Sequence, residues 1–224
     1  EEFPPPAPMF RKNFSVEKEI EKAVVFVTGL GYFELFLNGE KVGDDVLVPN
    51  QTNYSKRPSL ATEFIPVDDN FREYKVMYLT YDVKEKLKQG ANAIGSIIGN
   101  GFYNPSSAWT VGYGSPRFLA QLHLTYSDGS EEVIKSDQSW KVGKSPILMD
   151  MVYYGEHYDA RLEQPGWNTA GFDDSEWKKA VIRKAPSGKL MAHTAHPDKV
   201  VERLKPIRIE KLYNGNYKVD FNVV

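Results

Sequence analysis

The chain has 224 residues and 41% hydrophobic content, enough to fill one sizeable core in one large domain, or in one domain plus part of another. Lys plus Arg number 28 against 30 Asp plus Glu, a formal net charge of -2, so there is neither the basic footprint of a nucleic-acid binder nor a polybasic membrane patch. Cysteine is absent, which removes a disulfide framework, a thiolate zinc site and a cysteine nucleophile, and no apolar run reaches the 18 residues of a membrane span.

In chain order, residues 1–8 form an extended lead-in set by Pro4, Pro5, Pro6 and Pro8. EEFPPPAPMF has neither a basic n-region nor an apolar h-region, so a leader has been removed or the chain starts inside a longer protein. From residue 9 to 182 the dominant signal is period-two alternation of β-branched and aromatic residues: KAVVFVTG, YFELFLN, KVMYLTYDV, NAIGSIIG, RFLAQLHLTY and SEEVIKS all read as strands. Asn38-Gly39 and Asp128-Gly129 mark tight hairpins inside this region, and Asn214-Gly215 marks another beyond it. Asp82 is placed to cap a short helix over VKEKLKQ that Gly90 would end, and DDSEWKKA fits one helical turn capped by Asp173 or Asp174. The run 183–199, rich in polar residues and proline, reads as a linker. At 200–224 a second β unit begins, and YKVDFNVV reads as an element cut short. Many short strands with turn signals and no parallel βαβ rhythm specify an all-β protein, an antiparallel jelly-roll type β-sandwich.

No P-loop, dinucleotide fingerprint, EF-hand loop, nucleophile elbow or HExxH motif is present. His193 and His196 lie three apart in a loop with no third ligand fixed nearby. The stretch YYGEHYDARLEQPGW, 153–167, crowds acids and rings together. Glycoside hydrolysis needs two carboxyl groups facing one another at about 5 to 9.5 Å. On one strand Glu156 and Asp159 would stand roughly 10 Å apart on opposite faces, a poor acid/base pair. Asp159 is better read as a partner of Arg161, and Glu156 as an acceptor beside a turn at Gly155. The same residues, with Tyr153, Tyr154, Tyr158 and Trp167, also offer the rings and carboxylates that sugar recognition uses.

A second cluster is IIGNGFYNPSSAWTVGYG, 97–114, where Asn100 and Asn104 stand beside Phe102, Tyr103 and Trp109 in a loop following a strand. It is the best ligand-site candidate; the alternative is a loop packed by its own rings. A third, 38–57, carries Asp44, Asp45, Asn50 and Asn53, hard oxygen donors suited to calcium, although no spacing there fixes six of them and a solvated hairpin explains them as well.

The phrases APMFRKNFSV (7–16), GYFELFLNGEKVGDDVLVPNQTNYSKR (31–57), YLTYDV (78–83), GANAIGSIIGNGFYN (90–104), SDGSEEVIKSDQSWKV (127–142) and the 153–167 stretch continued through GFDDSEWKKAV (171–181) together resemble the N-terminal region of bacterial α-L-rhamnosidases. The resemblance implies an accessory, galactose-binding-like β-sandwich over 9–182 and the start of a further β-sandwich after residue 200. It also implies a parent enzyme, secreted or periplasmic, that hydrolyses terminal α-L-rhamnosides by inversion. The acid and base glutamates of that family sit in an (α/α) barrel for which this chain has no helical pattern, so the chain alone should hydrolyse nothing. Some accessory sandwiches of the family bind rhamnose, in cases through calcium. Here Phe102 stands where the family usually has Trp, and Asn50-Gln51-Thr52 where it often has Gly-Trp-Thr. Three roles therefore compete: a non-catalytic fragment of a rhamnosidase, an autonomous rhamnose-binding module assisted by calcium, and an interdomain scaffold that packs on the barrel.

Overall fold

The computed structural model describes residues 6–55, 73–105 and 112–222. Two sheets face each other. The first runs in the order β13 (Lys178–Lys179), β10 (Lys141–Lys144), β1 (Pro8–Val16), β7 (Gly90–Gly99), β3 (Tyr32–Leu37) and β4 (Glu40–Lys41). The second runs β14 (Lys189–Ala192), β6 (Lys75–Asp82), β2 (Ile20–Leu30), β8 (Arg117–Tyr126) and β9 (Glu131–Lys135). Among the described residues every pairing is antiparallel except β14 on β6. Three two-stranded pieces complete it: β11 (Ile147–Met151) with β12 (Gly155–Tyr158), β5 (Asp45–Val46) with β15 (Asp198–Lys199), and the hairpin of β16 (Arg208–Lys211) and β17 (Tyr217–Asp220). The expected all-β antiparallel sandwich is what the chain forms.

Alternation along the strands builds the core. Val25, Val27, Leu122 and Leu124 of the second sheet and Leu35, Leu37, Ile94 and Ile98 of the first are all buried in one cluster closed by Trp140. The first hairpin turns through Asn38 at φ 50° and Gly39 at φ 93°, the left-handed pair that matches strand twist.

The opposite face of the first sheet is covered by the chain's later segment, residues 145–177. Two glycines make room for it: a Cβ on Gly95 would lie 2.6 Å from the Trp167 ring, and one on Gly143 would run into Trp177. Arg11 points into this layer and is fully buried. Its Nε donates to the Trp167 carbonyl at 2.7 Å, Nη2 donates to the Thr169 carbonyl at 2.8 Å and to Asn13 Oδ1 at 2.7 Å, Nη1 donates to the Asp174 carboxylate, and the guanidinium lies 5.3 Å from the Phe172 ring centre. Burial pulls the Arg11 pKa down from its ordinary value.

Three expectations need correction. The helix over 83–89 is a single 3-10 turn, Lys84–Lys86, although Asp82 does accept the Lys84 N–H at 3.1 Å and Gly90 does take positive φ. Backbone groups that a longer helix would use are claimed by side-chain amides: Asn38 Nδ2 donates to the Lys86 carbonyl at 2.8 Å, and Asn92 Oδ1 accepts the Lys88 N–H at 3.0 Å. The turn at 173–177 forms with Asp173 accepting the Ser175 N–H, but the chain then enters β13 instead of a helix. The segment 183–199, expected as a linker, supplies β14 and β15, which pair with β6 and β5. Its polar and proline content hid strands too short for a periodic signal.

Breaking a buried, hydrogen-bonded ion pair by removing one partner costs about 3 to 5 kcal/mol. Arg11→Met should therefore destabilise the protein by about 3 kcal/mol in urea unfolding, with the denaturant slope unchanged.

Candidate functional site

The loop after β7 is fixed from below by a residue that the sequence patterns did not single out, Asp150 of β11. Its Oδ1 accepts the backbone N–H of Asn100 at 2.6 Å and its Oδ2 accepts Asn100 Nδ2 at 2.9 Å. Asn100, fully buried, in turn accepts Asn104 Nδ2 on its Oδ1 at 2.7 Å and the N–H groups of Tyr103 and Asn104 on its carbonyl. A Cβ on Gly99 would sit 3.0 Å from Asp150 Oδ1, so glycine permits the carboxylate to come this close. Asp150 lies between buried Met149 and Met151, and that acid inside an apolar run was the available signal.

Tyr103 is buried rather than presented. It stacks on Tyr113 at 5.4 Å, and Tyr54 stands edge-on to both at 5.2 Å. Burial drives the Tyr54 pKa up to about 12 and raises that of Tyr103. Phe102 is the ring that faces outward, half-exposed and edge-on to Tyr153 at 6.0 Å; Tyr153 and its neighbour Tyr154 are both exposed. Asn100, Phe102, Tyr103 and Asn104 are therefore one unit with Asp150 and Tyr153. Trp109 lies outside the described residues.

Glu156 sits across from Asp150 in the β11–β12 register and is exposed. At the far end of β12, Tyr158 donates to Glu163 Oε1 at 2.6 Å, and that bond raises the Tyr158 pKa. Asp159 leaves the strand to cap the turn Ala160–Leu162, and its carboxylate takes Arg161 Nε at 2.8 Å and Nη2 at 2.6 Å. The side-chain bonds from Arg161, followed by the backbone one, hold the Asp159 pKa at about 2. Glu156 and Asp159 are not arranged to share acid and base duty, because one stands on a strand and the other is occupied by a guanidinium.

The two carboxylates among the calcium candidates have other partners, and the bonds given for Asn50 and Asn53 are main-chain ones. Lys199 Nζ lies 2.7 Å from Asp44 and 3.7 Å from Asp45, and Tyr81 donates to Asp45 Oδ2 at 2.8 Å. The Asn50 N–H donates to His193 Nε2 at 3.2 Å, and the Asn53 carbonyl accepts the Lys75 N–H at 2.9 Å. Two carboxylates answered by an ammonium do not fit a calcium cage, and among the described residues no three His, Cys, Asp or Glu side chains are grouped to hold a metal. The Asn100 and Asp150 groups bond each other, so what the loop unit presents outward is the half-exposed Asn104 amide beside the Phe102 and Tyr153 rings.

Comparison with known proteins bears on this geometry. The family model described as the α-L-rhamnosidase N-terminal domain matches residues 18–66 and 63–202. An α-L-rhamnosidase of Formosa agariphila is 35% identical over 223 residues, covering 96% of this chain and 22% of that protein. The solved α-L-rhamnosidase of Dictyoglumus thermophilum superposes with a TM-score of 0.79 at 41% identity, over 96% of this chain and 22% of that one. That of Streptomyces avermitilis, solved in complex with L-rhamnose, gives 0.80 at 30% identity, over 96% and 20%. The chain thus spans about a fifth of the length of these relatives.

Two tests follow from the site. Asp150→Ala removes two hydrogen bonds to a carboxylate and should cost about 2 kcal/mol in denaturant unfolding, with selective loss of amide protection over 100–104. Folded Tyr54 keeps its proton up to about pH 12, whereas an unfolded tyrosine loses it near pH 10. Its stabilising contribution is therefore whole below about pH 10 and is lost as pH rises towards 12. Tyr54→Phe should flatten that alkaline decline, measured by urea unfolding at a series of pH values.

Proposed function

We propose a role for this chain from its kinship: it belongs to the α-L-rhamnosidase N-terminal domain family, and it acts as a non-catalytic β-sandwich unit of an enzyme that releases terminal α-L-rhamnosyl groups from glycans or glycosides. The observation that carries the reading is coverage, since 96% of the chain aligns with rhamnosidases of which it makes up about 22%. The geometry supports it. Asp150 is spent on Asn100, Asp159 on Arg161 and Asp174 on Arg11, so these carboxylates hold loops together. The partner of the unit is then the catalytic (α/α) barrel of the same polypeptide, and the setting is secreted or periplasmic. Among the described residues no helix is long and apolar enough to cross a membrane.

A second reading is favoured by one feature, the half-exposed Asn104 and Phe102 beside exposed Tyr153, on a loop that Asp150 and buried Asn100 hold in place. A terminal sugar is matched by that surface, a hydroxyl to the Asn104 amide and its C–H face to the Phe102 or Tyr153 ring. L-Rhamnose is the sugar named for the Streptomyces relative, and it is the one we assign here. No calcium is needed in this arrangement.

The chain alone should release no aglycone from an aryl α-L-rhamnoside; turnover by residues 1–224 would contradict the non-catalytic role. Calorimetric titration with L-rhamnose should give saturable heat at millimolar sugar, equal with calcium and with chelator, and at least about tenfold weaker in Phe102→Ala. Absence of heat from the unaltered protein would reject the sugar site and leave the accessory role standing.

A further inference from the structure

The chain carries three Asn-Gly pairs, at 38–39, 100–101 and 214–215. In such a pair the asparagine carboxamide can close on the next main-chain nitrogen, because glycine has no Cβ to obstruct the approach. The local chemistry is the same at all three, so what separates them is how the fold holds each carboxamide. Asn38 Oδ1 accepts the Ala93 N–H at 2.9 Å, and its Nδ2 donates to the Lys86 carbonyl at 2.8 Å and to Asn92 Oδ1 at 2.7 Å. The Gly39 N–H donates to the Asn168 carbonyl at 3.0 Å. Asn100 is fully buried, with Nδ2 donating to Asp150 Oδ2 at 2.9 Å and Oδ1 accepting Asn104 Nδ2 at 2.7 Å. Turning either carboxamide towards its glycine nitrogen costs these bonds, so reaction there waits for local opening.

Asn214 is held by much less. It stands exposed at the tip of the β16–β17 hairpin, where the Gly215 N–H donates to the Leu212 carbonyl at 3.1 Å and the Leu212 N–H to the Asn216 carbonyl at 2.7 Å. Its Oδ1 accepts the Asn216 N–H at 3.1 Å, and among the described residues its Nδ2 has no acceptor. Every residue of β16 and β17 is exposed, and the two strands form a sheet of their own. A lone hairpin of this kind is marginally stable in water, so its turn opens far more often than the packed sandwich does.

We propose that Asn214 is a site of spontaneous deamidation and that the fold shields Asn38 and Asn100 from the same reaction. Hydroxide takes the Gly215 amide proton, and the nitrogen attacks Asn214 Cγ. The new N–C bond closes a succinimide ring while the Cγ–Nδ2 bond breaks, and the departing nitrogen takes a proton from water and leaves as ammonia. Water then opens the ring at one of its two carbonyls. One opening gives aspartate; the other gives isoaspartate, in which the main chain runs through the former side chain. Both place a carboxylate at the hairpin tip. Aspartate suits the turn, since Asp-Gly is also a hairpin pair, whereas isoaspartate adds a carbon to the loop that sets the strand register.

Peptide mapping by mass spectrometry tests this after incubation of the chain in mildly alkaline buffer, once native and once in concentrated urea. In the native protein, conversion at Asn214 should be at least about tenfold faster than at Asn38 and Asn100, and in urea the three should draw within about threefold of one another, because a held amide reacts only from its opened fraction. Equal native rates would overturn the proposal. A native spread that urea leaves intact would overturn it too, since neighbouring side chains and not the fold would then set the rates. Asn214→Gln, which would have to close a larger ring, should remove the fast product from the tryptic peptide 212–218; fast conversion persisting there would give the site to Asn216 and not to Asn214. Asp150→Ala should raise conversion at Asn100 above that at Asn38, and an equal change at the two would overturn the shielding assigned to the fold at Asn100.

Discussion

A guanidinium without water around it needs each of its donors answered, and Arg11 has that requirement met almost entirely by one distant stretch of chain. The Trp167 and Thr169 carbonyls and the Asp174 carboxylate come from residues more than 150 positions away in sequence. Once Arg11 is buried in β1, the segment 167–174 has one place to go. Trp167 and Trp177 then lie over Gly95 and Gly143, stacked on each other at 6.2 Å, and the outer face of the first sheet is closed. The free energy resides as much in avoiding an unpaired buried charge as in the bonds themselves.

The same layer determines where the candidate site stands. Residues 145–166 run over the first sheet between β10 and the Arg11 contacts, and they carry both Asp150 and Tyr153. Gln164 ties this layer down at a second point, with Nε2 donating to the Lys144 carbonyl at 2.8 Å and Oε1 accepting Trp177 Nε1 at 3.0 Å. Tyr103 of the loop is in turn packed with Tyr54 and Tyr113 over Leu30 and Val76. The loop is thus gripped between a carboxylate and an aromatic cluster, and Phe102 is left as the ring that meets solvent. Such pre-organisation lowers the ordering cost of binding.

The sandwich was legible because period-two alternation and Asn-Gly turns are local signals, and β2, β3, β6, β7, β8 and β9 sit in runs that show the alternation, whereas β1, with Arg11, Lys12 and Asn13 in mid-strand, does not. The misread helix shows where local signals stop. Asp82 accepts the Lys84 N–H and Gly90 takes positive φ, yet Asn38 of the hairpin turn and Asn92 of β7 claim backbone groups between them. The strands of 183–199 were missed because two to four residues give no period, and their pairing with β6 and β5 is decided by tertiary contact. Within the site, Asn100 and Phe102 could be nominated from composition, whereas burial of Tyr103 and the grip of Asp150 depend on partners far away in sequence. The crowd of acids at 153–167 attracted attention for a reason unrelated to catalysis, since Asp159 and Arg161 complete a turn and Tyr158 anchors to Glu163.

The central claim is mechanical: the Arg11 clasp holds the layer that in turn holds the loop at Asn100. Native-state hydrogen exchange on Arg11→Lys tests it most directly, since lysine keeps the charge but loses the fork that reaches several acceptors at once. In Arg11→Lys the amides of Asn100, Tyr103 and Asn104 should lose protection together with Trp167 and Thr169, while the inner strands β2 and β8 keep theirs. Loss confined to the 167–174 segment, with the loop amides as protected as before, would contradict it.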